Sequence, residues 1–341
     1  MAAKLAEWLP QLEGFFRSYA LWAVQVFLVI GGYLTAKSLW AAMPQTSAEM
    51  FAKLGARYLR LVIPLLAAMS VAVAVTALVR PYFDHSSLSQ EPTGLQVIAH
   101  IFLLQDILNL EAFSAGVWYV AIDFQLFAIA MIGLWLAHVW QGFSGQGSLI
   151  RKALSLWLML TLCAMFVWNL NPSGDMWGLY FLGSYGLGLC VGAWRQADMK
   201  INFASLALGI MVVGALATAY HPRSRLMVAI GTAVLLCWYE SYQSKPIEFL
   251  KLQWIQQVSN ASYAIFLIHF SVSLLVSALV FNVWPENTAA NVAGLCASFA
   301  LSIWLGQLLH EQVEVPQPTW RRWFQWVGTL CATCTGVILL T

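Results

Sequence analysis

The chain has 341 residues, 60% of them hydrophobic and only 9% Asp, Glu, Lys or Arg, with a mean hydropathy of +0.72. Soluble globular domains carry roughly 25% charged residues, so that class is excluded and a single all-α, polytopic transmembrane helix bundle is predicted. The net charge of +2, from 17 basic and 15 acidic residues, leaves no basic surplus for nucleic acid. The six cysteines all lie in apolar stretches, which argues against a disulfide framework.

A spanning helix needs about 20 mostly apolar residues. Ten runs qualify: Tyr19 to Ala36, Leu59 to Val79, Gly116 to Val139, Ala153 to Leu170, Trp177 to Trp194, Phe203 to Tyr220, Leu226 to Ser241, Ala261 to Val283, Ala289 to Leu309 and Phe324 to Leu340. An eleventh, Leu95 to Leu110, carries His100, Gln105, Asp106 and Asn109 and is too polar and short to be counted with them.

Lys and Arg are enriched in cytoplasmic loops, and their distribution decides the eleventh run. If it does not cross, one side collects Lys37, Lys53, Arg57, Arg60, Arg151, Lys152, Arg195, Lys200, Lys245, Lys251, Arg321 and Arg322, while the other holds Lys4, Arg17, Arg80, Arg223 and Arg225. If it does cross, that asymmetry reverses downstream. Ten crossings are therefore predicted, with residues 95–110 dipping into the outer interface and the segment 80–115 a candidate cap. The first helix then runs from outside to inside, although residues 1–18 lack the apolar core of a signal peptide.

Asp123 is the strongest chemical signal, since an ionisable group inside a spanning helix costs about 2.5–3.5 kcal/mol on insertion scales and marks function. It sits about 10 Å below the outer boundary at 1.5 Å per residue, and His269 about 12 Å above the inner one. Asp123 as a hydrogen-bonding glue residue and His269 as a satisfied core histidine are the competing readings. Lys53, Arg57 and Arg60 form a basic cluster suited to a phosphorylated cytoplasmic donor, because Arg forks pair with phosphate. Anchoring beside anionic lipid is the alternative. The Cys331-x-x-Cys334 spacing reads as packing, with no partner pair nearby. Gly183, Gly186, Gly188 and Gly192 read as a close helix contact. His310-Glu311 starts a zincin-like pattern that fails at Glu314. No metal site is predicted.

Several segments, in order, resemble acyltransferase family 3, the integral-membrane bacterial O-acyltransferases. Val26-Phe27-Leu28-Val29-Ile30-Gly31-Gly32-Tyr33-Leu34 is similar to the family's F-F-V-I-S-G-F-L-I helix, with Gly31 where serine is usual. Arg57-Tyr58-Leu59-Arg60 followed by Pro64 is similar to R-R-x-x-R-x-x-P. Trp118-Tyr119-Val120-Ala121-Ile122-Asp123-Phe124-Gln125-Leu126-Phe127 resembles W-x-L-x-x-E-x-Q-F-Y, with Asp123 for glutamate. Ser262-Tyr263-Ala264-Ile265-Phe266-Leu267-Ile268-His269 resembles I-S-Y-S-L-Y-L-I-H, and Val313-Glu314-Val315-Pro316 resembles V-E-x-P. The family opens with a helix bearing an arginine and, eleven residues on, a histidine. No arginine here has that partner, and the helix at Tyr19 resembles the family's second. One further helix upstream of Met1 is accordingly expected. The alternative is a divergent member.

The resemblance implies an O-acyltransferase of the bacterial inner membrane that moves an acyl group, most naturally acetyl from acetyl-CoA, onto a hydroxyl of a surface glycan or lipid-linked glycan: O-acetylation in polysaccharide modification. Acyl-CoA is then a donor substrate, with no tightly bound cofactor; the partners are that donor, the glycan acceptor and membrane lipid. Asp123 and His269 are the expected catalytic pair, and Arg57, Arg60 and Lys53 the expected CoA contacts. Trp118, Gln125, Tyr263 and Ser262 are expected to line or brace the site. The expected organisation is an external segment 1–18, a membrane domain 19–316 and an additional C-terminal helix 317–341. A glycan or lipid flippase, and an inactive assembly partner, are the competing functions.

Overall fold

Backbone groups in lipid have no water to bond with, so a spanning segment must satisfy them within itself as a helix. The computed structural model of the chain describes residues 11, 14, 15, 19, 22–41, 43–83, 85, 87–144, 148–194, 196, 202–242 and 252–340. Its helices are α1 (Ala23–Ala41), α2 (Ser47–Val79), α3 (Gly94–Ile101), α4 (Val117–Ser144), α5 (Leu149–Phe166), α6 (Gly178–Trp194), α7 (Phe203–Tyr220), α8 (Ser224–Tyr242), α9 (Gln253–Asn260), α10 (Ser262–Val283), α11 (Thr288–Leu309) and α12 (Trp320–Leu340). No strand occurs among the described residues. All ten predicted apolar runs coincide with helices. Eight are long and apolar enough to cross a membrane. The other two are α6, at 17 residues, and α8, which carries Arg225 and Glu240 toward its ends.

Residues 95–110 do not form a crossing helix. α3 has eight residues, about 12 Å of helix against a hydrocarbon core of about 30 Å. Turns follow it, with Leu103 and Asn109 at φ 59° and 54°. Polar bonds replace the apolar match: Thr93 and Gln96 form a capping box, Gln96 Nε2 donates to the Glu111 carbonyl (3.2 Å), and the Glu111 carboxylate accepts from the Gln90 amide (3.0 Å).

The chain falls into two compact units, formed by the described residues within Met1–Arg17, Ala56–Ala121 and Pro246–Thr341, and within Ser18–Gly55 and Ile122–Lys245. In the second, α1 lies against α6 and α6 against α5. Glycine makes the α1–α6 contact possible. A Cβ on Gly188 would sit 1.9 Å from the Val29 carbonyl oxygen, and one on Gly32 2.0 Å from that of Tyr185. In the first unit α10 packs on α11. There Leu59, Ile63 and Ala67 of α2 share a core with Val313, Trp323 and Trp326.

α2 has 33 residues, about 50 Å at 1.5 Å per residue, so its first turns extend beyond the apolar run that begins at Leu59. Lys53 and Arg57 occupy that extension, and Arg60 is the second residue of the apolar run. Pro64 lies inside the helix and lacks the N–H that would bond the Arg60 carbonyl. Of the cations in the charge count, Lys4, Arg17, Arg195, Lys200, Lys245 and Lys251 lie outside the described residues, as does most of the expected external segment 1–18.

Candidate active site

The close α1–α6 contact places Asp123 of α4. Tyr185 is 1% exposed and its hydroxyl donates to Thr35 Oγ1 (2.8 Å), fixing the ring beside α1. A Cβ on Gly31 would lie 3.5 Å from Tyr185 Cε2 and 3.9 Å from Asp123 Oδ1. Asp123, 9% exposed, therefore presents its carboxylate to a stretch of α1 that carries no side chain at residue 31. Two residues on, Gln125 Oε1 accepts from the Gly178 backbone amide (2.7 Å), satisfying one of the orphan donors at the start of α6. Gln125 thus ties α4 to α6 within the same unit as Asp123.

In the other unit, His269 is half-buried in α10. Its Nδ1 lies 2.6 Å from the Phe266 carbonyl oxygen. A carbonyl only accepts, so Nδ1 carries a proton, and in the neutral ring the lone pair is on Nε2. An aromatic run leads to it: Trp118 meets Tyr119 edge-on (6.0 Å), Tyr119 meets Phe266 (5.6 Å), and Phe266 meets His269 (5.8 Å). Tyr263 donates to the Leu61 carbonyl (2.8 Å), joining α10 to α2. Ser262 is exposed at the first turn of α10. On α2, Lys53 and Arg57 are half-buried and Arg60 is exposed. Lys53, Asp123 and Gln125 belong to one unit, and Arg57, Arg60, Trp118, Ser262, Tyr263 and His269 to the other.

A family model described as an acyltransferase domain, that of acyltransferase family 3, matches residues 5–340. The chain belongs to that family. No curated protein and no solved structure gives a match. Family membership and eight apolar helices together make the protein a multi-pass membrane acyltransferase.

Two groupings in this acyltransferase escaped the sequence reading. His310 Nδ1 and Glu314 Oε2 lie 2.8 Å apart on a π-helical turn, His310–Glu314, a distortion often found at functional sites. Arg322 secures that turn, donating to the carbonyls of Pro316 (2.7 Å), Gln312 (3.2 Å) and Val313 (3.0 Å). The i, i+4 spacing of His310 and Glu314 is the signal the sequence offers for this pair. The second grouping joins α1 and α8. Lys37 Nζ lies 2.8 Å from Glu240 Oε1, and the Tyr33 hydroxyl bonds both Glu240 and Lys37. Glu240 is 6% exposed, and a buried carboxylate needs such partners.

Proposed function

We propose that this acyltransferase resides in the bacterial cytoplasmic membrane and moves an acyl group, acetyl by preference, from acyl-CoA to a hydroxyl of a cell-surface or lipid-linked glycan. The observation that carries the reading is His269: a spanning-helix histidine with Nδ1–H bonded to a carbonyl has its Nε2 lone pair presented as a general base. The acceptor hydroxyl attacks the thioester carbonyl carbon while Nε2 takes the hydroxyl proton. The C–S bond then breaks, the new ester forms, and the imidazolium returns the proton to the CoA thiolate. Arg57, Arg60 and Lys53 are assigned to the CoA phosphates, which guanidinium forks match bidentately. Asp123 is assigned to acceptor hydroxyls, for which a carboxylate is a strong acceptor. Trp118, Tyr263 and Ser262 are assigned to the lining or bracing of the site, and Gln125 braces the helix that carries Asp123.

The test is acyl transfer by purified protein in lipid discs, with labelled acetyl-CoA and a glycan acceptor. Asp123→Asn keeps the side-chain volume and removes the charge. The proposal expects lost transfer in a folded variant that still binds acetyl-CoA. Transport of the glycan without acyl transfer, or wild-type transfer by Asp123→Asn, contradicts it.

A further inference from the structure

A second polar feature lies in the unit that holds Asp123. A cavity of about 230 Å³ is lined by Gln25, Asn169, Tyr180, Ser184, Arg223 and Arg225 among others, with no Asp or Glu among the described residues of its wall. It opens where α1 begins, α5 ends, α6 begins and α7 turns into α8. Arg151 and Lys152 stand at the opposite end of α5, about 20 Å of helix away. The charge asymmetry that places those two in the cytoplasm puts the cavity on the other face.

The wall is built rather than incidental. Arg223 is held by neutral acceptors alone: Nε on the His221 carbonyl (3.2 Å), Nη1 on Asn169 Oδ1 (2.7 Å), and Nη2 on the carbonyls of Met165 (2.8 Å) and Ala217 (3.2 Å). Its position is fixed, and no carboxylate pairs with it among the described residues. Gln25 is 5% exposed. Its oxygen accepts from Ser184 Oγ (2.5 Å), and its amide nitrogen has no protein acceptor among the described residues. The cavity thus offers a fixed cation, a second one at Arg225 and a buried donor. An apolar or cationic occupant would leave these uncompensated at a cost. An oxyanion carried on a polyol satisfies them. Gln25 also lies six residues before Gly31, about 9 Å along α1, and Ser184 adjoins Tyr185. The cavity therefore stands about one and a half turns from the neighbourhood of Asp123.

We infer that this cavity binds an acidic saccharide, one bearing a carboxylate or phosphate among its hydroxyls. The inference rests on the proposed function in taking that saccharide as the acceptor, and its test is a binding measurement made without acyl donor. Saturation-transfer NMR would compare methyl glucuronide with the neutral methyl glucoside, using the full chain in phosphatidylcholine discs. The glucuronide is expected to bind at least tenfold tighter. Gln25→Met and Arg225→Gln are each expected to weaken it several-fold at a wild-type melting temperature. Arg223→Lys, which keeps the charge and loses the fork, is expected to weaken it as well. Equal binding of the two sugars, or glucuronide binding untouched by Gln25→Met and Arg225→Gln, overturns the inference. So does loss of glucuronide binding when phosphatidylglycerol is added to the disc, which would make the occupant a lipid headgroup. Glucuronide binding without any acyl transfer would refute the proposed function and leave the cavity assignment standing; transfer without glucuronide binding would do the reverse.

Discussion

The backbone of Gly31 faces the carboxylate of Asp123, and a Cβ there would stop 3.9 Å from Oδ1. In the motif resemblance these two positions stand opposite a serine and a glutamate. The departures are neighbours, and each shortens a side chain at the same spot. Gly31→Ser meets only ordinary van der Waals distances, and its hydroxyl comes within reach of the carboxylate. The expected result is a folded protein, within about 1 kcal/mol of wild type, with altered turnover and unaltered acyl-CoA affinity. Wild-type turnover in this variant would separate Gly31 and Asp123 from the chemistry.

The basic extension of α2 should govern donor affinity. Replacing Arg57 and Arg60 together by glutamine would remove the two charged phosphate contacts proposed for them, each worth about 1.5–3 kcal/mol. The KM for acyl-CoA is expected to rise at least tenfold, with little change in the amount of inserted protein. Titration calorimetry with CoA measures this directly; an unchanged affinity would leave the pair as lipid anchors.

Close approach of α1 and α6 depends on Gly188, where a Cβ would fall 1.9 Å from the Val29 carbonyl oxygen. Backbone cannot yield as a flexible side chain can, so Gly188→Ala is expected to destabilise the protein by about 1–3 kcal/mol or more. A lowered thermal unfolding midpoint in detergent checks this. A wild-type midpoint would mean that the helices separate without cost.

The segment after α2 should respond to acid through His100, whose ring is fully buried and stacked on Phe113 at 4.2 Å. Nδ1 lies 2.7 Å from the Gln96 carbonyl oxygen and Nε2 accepts from the Phe113 amide (3.1 Å), which fixes the neutral form. Burial pushes the group down to about 4, against about 6.5 in an unfolded chain. Between those values the folded form binds fewer protons than the unfolded one. Its stabilisation is thus whole above pH 6.5 and lost as pH falls toward 4, roughly 3 kcal/mol in all. Hydrogen exchange at the Phe113 amide, corrected for its intrinsic rate, should lose protection across that window. Protection independent of pH would contradict the assignment.

The helices were legible in the sequence because lipid demands long apolar runs, and a run such as Phe203 to Tyr220 has one reading. The polar first turns of α2 and the whole of α9 were not, since neither carries an apolar signature of sufficient length. Asp123 stood out as a charge in an apolar run. Its proximity to Gly31 did not, because the contact joins α1 to α4 and no local pattern encodes it. The same holds for Lys37 and Glu240, 203 positions apart. Gly188 and Gly192 were readable as a packing face, while their partner, α1, was known only from the structure.

Acyl transfer with His269 as base is tested most directly by one substitution. His269→Asn can keep the donor to the Phe266 carbonyl while removing the basic nitrogen. Transfer of labelled acetyl from acetyl-CoA to a glycan acceptor should be compared in discs for wild type and variant. With His269 as base, the wild type transfers acetyl and the variant loses about 10²–10⁴-fold in kcat, with acetyl-CoA affinity unchanged. Wild-type kcat in His269→Asn would contradict it.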